Sequence, residues 1–423
     1  MSRSVHVDVA VAGGGIIGMS LAWAARRRGM SVAVLERESV GAGASRVAAG
    51  MLAPVSEVEY GGAGRRLLKL GLRSAAMWPA FAEGLRDASG VDVGLRRTGT
   101  LLAARDGDEA RELERQLDLR RSLGLSVTRL RGSEAREREP ALAPTVRLAL
   151  EVPDDHAVDP RLVLRALRGA CEREGVRVRE GAKVAGVELD ESGSRATGLL
   201  LEDGERVGAG QVVLAAGAWT ESIGGLHAGA RIPVRPVKGQ ILRLRDPSGP
   251  GLLERVLRFQ GGYLVPRGDG RYVLGATVEE RGFELAATAG GVYELLRDAY
   301  ELLPGVAQLE IEELSVGLRP GTPDNAPVIG RGALDGLVWA SGHHRNGVLL
   351  APLTAELIAG VLAGTGEAEA LHGRPLEDEE RHIVNRPRIA GAHGALLQVC
   401  SAARFAPSQE SDAHVSSTAG AAR

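Results

Sequence analysis

VHVDVAVAGGGIIGMSLAWAARRRGMSVAVLE, residues 5–36, decides the fold. Val5–Ala12 is rich in valine and alternates, as a strand does. It runs into Gly13-Gly14-Gly15-Ile16-Ile17-Gly18. A helical pattern follows to Arg28 and stops at Gly29. Ser31–Leu35 is a second strand, and Glu36 ends it. Strand, G-x-G-x-x-G, helix, strand and acid together form a dinucleotide-binding fingerprint. Gly13 permits the tight turn, Gly15 lets the backbone approach a pyrophosphate, and Gly18 lets the helix pack closely. The helix N-terminus offers free N–H groups and a positive dipole end. Glu36 can accept from a ribose 2′-OH and disfavours a 2′-phosphate, so NADP is not expected. The motif alone does not separate NAD from FAD.

Composition bounds the rest. Of 423 residues 58 are glycine, without the period of three that collagen needs. Of 52 basic residues only Lys69, Lys183 and Lys238 are lysine, so composition bias accounts for most of the arginine and glycine. A 44% hydrophobic share and a net charge of -2 are globular values. The length allows two or three domains. Near-neutral charge argues against nucleic-acid or anionic-membrane binding. Cys171 and Cys400 make neither a disulfide framework nor a metal site, which points to a reducing, cytoplasmic setting. No apolar run reaches 18 residues. Arg3 followed by Val9–Ala25 has the layout of a secretory signal. Its removal would delete the nucleotide motif, so it is expected to stay.

After Glu36, Val40–Pro54 reads VGAGASRVAAGMLAP. Such small residues can lie flat along an extended ligand, with Ser45 and backbone N–H groups meeting phosphate oxygens. Gly13–Gly18, Glu36 and the Ser45…Ala48-Ala49-Gly50-Met51 run resemble the FAD-dependent amine and D-amino-acid oxidase family. AAGMLAP is most similar to its glycine-oxidising branch of the thiamine-biosynthesis type. The resemblance spans about residues 5 to 366. It implies non-covalent FAD held by Gly13, Gly15, Ile16, Ile17, Gly18, Glu36, Arg37, Ser45, Ala48, Ala49, Gly50, Met51, Val184, Gly217, Trp219, His344, Arg345, Asn346, Gly347 and Val348. No metal is expected.

Along the chain, Ala63–Glu83 reads as an amphipathic helix and Val91–Ala104 as two short strands around Arg96-Arg97. Gly107–Leu123 is a charged helix, most simply a solvated face. Ser133 is placed to cap a turn through Arg138. Asp159-Pro160 is an N-cap with proline at N1, opening a helix to Glu174. Val176–Val178 and Lys183–Leu189 read as strands. Val212–Trp219 reads as a buried strand entering a glycine turn. Arg231–Leu244 reads as a strand pair, and Gly262–Pro266 with Arg271–Ala276 as a hairpin. Phe283–Leu303 reads as a long helix and Glu310–Leu318 as a strand. The expected architecture is an α/β FAD-binding Rossmann-like domain interleaved with an α+β substrate domain on a mainly antiparallel sheet. Segments 1–93, 145–230 and 318–372 form the first domain, and 94–144 and 231–317 the second. Residues 373–423 read as a disordered tail.

Three later segments carry chemistry: GGYLVPR from Gly261, GLRPGTPD from Gly317 and GHHRNGVLLAP from Gly342. Amine oxidation needs the substrate carboxylate held so that Cα faces the flavin, and an arginine fork grips both oxygens. The resemblance puts Arg319 on that carboxylate with Tyr263 beside it, and Met51 and Arg345 in the active site. Arg345 sits in a turn entering a helix that points at the flavin. Hydride transfer requires no base, so His343 and His344 are not expected to be catalytic. Gly261 stands where the family shows histidine and Val278 where it shows methionine, both widening the pocket. Gly317 and Leu318 stand where related enzymes carry a flavin-linking cysteine.

The expected activity is oxidation of glycine, with sarcosine or small D-amino acids, to glyoxylate, ammonia and peroxide for thiamine supply. The partners are a small amino acid and O2, and a homo-oligomer is expected. The alternatives are a D-amino-acid or sarcosine dehydrogenase or oxidase of the same family, and a flavin-dependent tRNA-modification factor.

Overall fold

The computed structural model describes residues 5–364 and 400–405. Its first sheet grows from the motif. Strand Val5–Ala12 pairs in parallel with Val32–Leu35 on one side and Arg206–Leu214 on the other. The order across the sheet is Val328–Arg331, Leu337–Ser341, Arg206–Leu214, Val5–Ala12, Val32–Leu35 and Arg177–Arg179. Strands Val184–Leu189 and Ala196–Leu201 extend from Arg206–Leu214. Helices Ile16–Arg27, Gly61–Ser89, Pro160–Arg173 and Ala351–Ala363 cover one face around Trp23, Trp78 and Leu85. Both faces of a parallel sheet must be buried, which is why Val32–Leu35 is apolar throughout.

The second sheet is mainly antiparallel. Its order is Glu310–Gly321, Arg235–Arg245, Arg271–Gly275, Gly262–Pro266, Val256–Phe259, Thr100–Ala104, Leu148–Val152 and Thr128–Arg131. Only Val256–Phe259 with Thr100–Ala104 runs parallel. The two architectures follow the expected fold class. Leu148–Val152 belongs to this sheet, although the boundary at 145 assigned it to the first domain.

Several elements differ from the sequence reading. Val91–Ala104 holds one strand, Thr100–Ala104, and Arg96 makes only a bridge to Ala157. Arg231–Leu244 is one unbroken strand, Arg235–Arg245. Ser133 caps nothing: helix Gly132–Arg138 starts at Arg131, whose N–H donates to the Glu134 carboxylate at 2.7 Å. The helix expected from Phe283 begins at Ala289, where the Thr288 hydroxyl accepts from Gly291 N at 3.2 Å. Phe283 and Leu285 supply apolar period but lie exposed in the preceding loop. The Asp159 cap forms as read, accepting from Arg161 N at 2.9 Å.

The tail reading fails at Cys400–Phe405. Cys400 is fully buried in the first core, and Arg404 binds Asp324 at 3.0 Å and the Ala326 carbonyl at 2.7 Å. The remainder of 373–423 lies outside the described residues. Among the described residues no helix is long and apolar enough to cross a membrane.

Candidate active site

A cavity of about 530 Å³ runs from the glycine motif to the face of the second sheet. Gly13, Gly15, Ile16, Ile17, Glu36, Arg37 and Ser45 line its first end. Glu36 braces the loop, accepting from Gly14 N at 2.7 Å and Glu38 N at 3.0 Å. A carboxylate offers about four lone-pair sites, so acceptor capacity remains. Ser45 Oγ accepts from Ile16 N at 3.0 Å. Gly13 has φ +110°, and a Cβ there would sit 2.5 Å from the Ala215 carbonyl oxygen. A Cβ on Gly15 would meet only Ser45 Oγ, at 3.2 Å, so that backbone is bare toward the cavity. Gly18 packs the helix against Gly13 instead and does not line the cavity. Farther along, the Arg37 guanidinium lies 3.6 Å from the Trp219 ring centre, beside Val184 and Gly217. A long cavity with bare backbone and a helix N-terminus at one end fits an extended dinucleotide such as FAD.

The run Ala48–Met51 lines the middle of this cavity. It is held from behind by Arg267, which donates to Ala49 O and Val158 O, each at 2.7 Å. Arg243 donates to Arg46 O at 2.8 Å. Gly50 (φ +82°) closes on Val158, whose carbonyl a Cβ would meet at 2.1 Å.

The far wall comes from the second sheet. Tyr263 pairs with Gly275, Gly275 with Ile241, and Arg319 with Val237. Opposed residues share a face, so Tyr263 and Arg319 both point into the cavity. Arg319 leans over Gly239, where a Cβ would lie 2.4 Å from Nη1, and donates to Thr277 O at 3.2 Å and Lys238 O at 3.3 Å. Tyr263 is half-buried, and desolvation pushes its phenol pKa up; it stays a donor at neutral pH.

Gly342–Val348 closes this end. His344 has φ +47°, a strained value for a non-glycine residue. Burial, followed by Arg319 and Arg345, pushes its pKa down to about 4, so it is neutral at pH 7. His343, which also lines the cavity, is buried against Thr354 Oγ1 at 3.0 Å, its pKa pushed down to about 3 by burial. Gly347 and Val348 line the cavity, whereas Asn346 faces a small neighbouring one.

The sequence reading missed Glu57 and Arg258, which also line the cavity. Glu57 bridges Arg345 Nε at 3.3 Å and Arg258 Nη2 at 3.5 Å, and Glu59 binds Arg345 Nη2. It also passed over Gly239 and Gly275, although glycine inside a strand signals close approach. Among the described residues no acid, histidine or cysteine cluster could hold a metal.

A family model described as FAD dependent oxidoreductase matches residues 8–361. Glycine oxidase of Geobacillus kaustophilus (strain HTA426) is 37% identical over 354 residues, 83% of this chain and 92% of the relative. The bifunctional protein ThiO/ThiG of Synechocystis sp. is 35% identical over 370 residues, 86% of this chain but 53% of that longer protein. The crystal structure of glycine oxidase from Geobacillus kaustophilus superposes with a TM-score of 0.80 at 35% identity, covering 89% of this chain and 99% of that one.

Proposed function

The chain belongs to the FAD dependent oxidoreductase family, whose cofactor is FAD, and from that premise we propose that it oxidises glycine, with sarcosine and small D-amino acids also accepted. Glycine, water and O2 give glyoxylate, ammonia and hydrogen peroxide. The observation that carries this reading is the pairing of Arg319 and Tyr263 on one sheet face at the end of the cavity opposite the glycine motif. The two relatives named above support it.

Bound FAD supplies the acceptor for a hydride leaving the substrate Cα. The residues Gly13, Gly15, Ile16, Ile17, Glu36, Arg37, Ser45, Ala48–Met51, Val184, Gly217 and Trp219 are assigned to hold it. Arg319 grips the carboxylate through a planar fork, which fixes which Cα bond faces the cofactor. The Tyr263 hydroxyl donates to the same carboxylate. His344 is neutral and does not repel an amine. Arg345, paired with Glu57 and Glu59, and the turn at Gly347-Val348 are assigned as hydrogen-bond donors to the negative charge that develops. Gly317 and Leu318 offer no linking thiol, and neither Cys171 nor Cys400 lines the cavity, which supports non-covalent binding. Gly261 and the exposed Val278 line the cavity, which supports acceptance of more than glycine. Supply to thiamine biosynthesis, a cytoplasmic setting and a homo-oligomer complete the proposal.

The test is the visible spectrum of purified protein and its peroxide yield with glycine, sarcosine, D-alanine and D-proline. A flavin spectrum and peroxide from these amines are expected. Colourless protein that added FAD does not restore refutes the reading. Dye reduction without peroxide converts the assignment to a dehydrogenase.

A further inference from the structure

Helix Gly107–Ser122 is charged along most of its length and mostly solvated, yet Arg120 on it is only 1% exposed. Its Nε donates to Val55 O at 3.0 Å and its Nη2 to Ser56 O at 2.7 Å. From the other side the buried Asp155 carboxylate accepts from Val55 N at 3.0 Å and Ser56 N at 2.9 Å. All four polar backbone groups of two successive residues are therefore bound by buried charged side chains. Burial opposes both charges, pushing Asp155 up to about 6 and Arg120 down to about 10. Apolar packing can often replace buried charge at no loss of stability, so the use of charge here points to fixing a geometry.

The clamped loop leads directly to that geometry. Glu57 and Glu59 follow it, and both carboxylates bind the same Arg345 guanidinium, at Nε and at Nη2. Ser56 and Glu57 also meet Arg258, at 3.3 and 3.5 Å. Arg345 makes no other ion pair among the described residues.

We propose that Arg120 and Asp155 are positioning residues, which clamp Val55-Ser56 so that Glu57 and Glu59 aim Arg345 at the substrate end of the cavity. This rests on the proposed role of Arg345 at that end. The helix that carries Arg120 thereby acts on the site through the Val55-Ser56 loop, which Leu113 and Leu117 of the same helix also pack against.

The experiment is a double-substitution cycle on the FAD-loaded enzyme, read as kcat/KM for glycine and sarcosine. Arg120→Met is expected to lower kcat/KM by about tenfold or more, the scale of a small misplacement of an active-site group. In the Arg345→Gln background the same substitution is expected to change it less than about twofold, because the aimed group is gone. Arg120→Lys, which reaches one carbonyl, is expected to restore part of the loss. Equal fold losses in both backgrounds, the mark of a merely structural residue, overturn the proposal. If Arg120→Met does not accumulate as holoenzyme, Asp155→Asn is carried through the same cycle and judged by the same outcomes. If Arg345→Gln alone leaves every amine unaffected, the assignment of Arg345 fails, and the proposal falls with it. That result is distinct from additive losses.

Discussion

Gly239→Ala should disarm the carboxylate grip without substituting the residue that makes it. Its backbone is ordinary for an L-residue, so the new methyl brings no φ strain. It would lie 2.4 Å from Arg319 Nη1, 2.5 Å from Nη2 and 2.7 Å from Cζ. Carbon atoms settle at about 3.5–4.0 Å, so the guanidinium must retreat by about 1 Å. Among the described residues only two bonds hold it, at 3.2 and 3.3 Å, so the side chain yields before the strand does. A displacement of that size costs about a hundredfold in rate constants that depend on the grip, or about 2.7 kcal/mol. That agrees with losing one or two hydrogen bonds to a charged group at about 1.5–3 kcal/mol each. The assay is steady-state peroxide formation over a glycine series, with anaerobic flavin reduction by stopped flow and a melting curve. KM should rise steeply while FAD content and Tm hold. A KM within about twofold of the parent would refute the placement of Arg319 on the carboxylate, given that displacement. Lost FAD or a collapsed Tm would show that the strand yielded instead.

Gly275→Ala acts on the other half of the grip: its methyl would lie 2.7 Å from the Tyr263 hydroxyl oxygen and 2.8 Å from Ile241 Cγ2. Losing one hydrogen bond of about 1 kcal/mol should raise KM about fivefold, and an unchanged KM would remove Tyr263 from substrate binding. His344, its pKa near 4, should contribute no limb to the kcat/KM profile between pH 5 and 8; a limb near 6.5 that His344→Gln abolishes would contradict this. His343 gives a stability prediction with a definite sign. Its folded pKa is depressed from 6.5 to about 3, so the stability is fully present above 6.5 and is lost as pH falls toward 3. Urea midpoints should therefore drop between pH 7 and pH 5, less so in His343→Phe, and equal slopes in the two proteins would be the contrary result.

The motif at Gly13–Gly18 could be read because its own backbone leaves no room for a Cβ at defined positions. Gly13 needs positive φ, Gly18 needs a close approach, and each requirement leaves only glycine. Asp159-Pro160 was legible for a local reason too, since a cap is settled within three residues. Phe283–Leu303 misled because apolar spacing does not report what the side chains meet. Phe283 packs near Trp219, ring centres 6.0 Å apart, in a loop rather than a helix. Glu57, Arg258, Arg120 and Asp155 were invisible for the opposite reason. Their partners lie far along the chain, as Arg345 does from Glu57 and Arg258 from Ser56, and no local pattern encodes a loop clamped from two elements. Tyr263 and Arg319 fall between these cases. A family pattern pointed to both, but that they share a face follows only from the register of four strands.

The arginine excess has a physical reading that composition alone obscures. A guanidinium carries five donors and no acceptor, in a rigid plane. Irregular backbone beside a cofactor leaves carbonyls facing inward, and each must find a donor. Arg267 supplies two carbonyls behind the Ala48–Met51 run, Arg120 two in the neighbouring loop, and Arg243 one at Arg46. Lysine has no fork with which to span two carbonyls at fixed spacing. The buried Lys238 instead meets a carboxylate, Glu279, at 3.2 Å. The arginines that build this site thus divide by partner. Arg267, bound to two carbonyls in the interior, holds the Ala48–Met51 wall of the cavity, and Arg120 holds the loop before Glu57. Among the described residues Arg319 has two long carbonyl bonds, both from Nη1, and a glycine beneath it, which leaves donors of its fork unspent. That unspent donor capacity at the cavity wall, more than the presence of another arginine, supports the proposed carboxylate there.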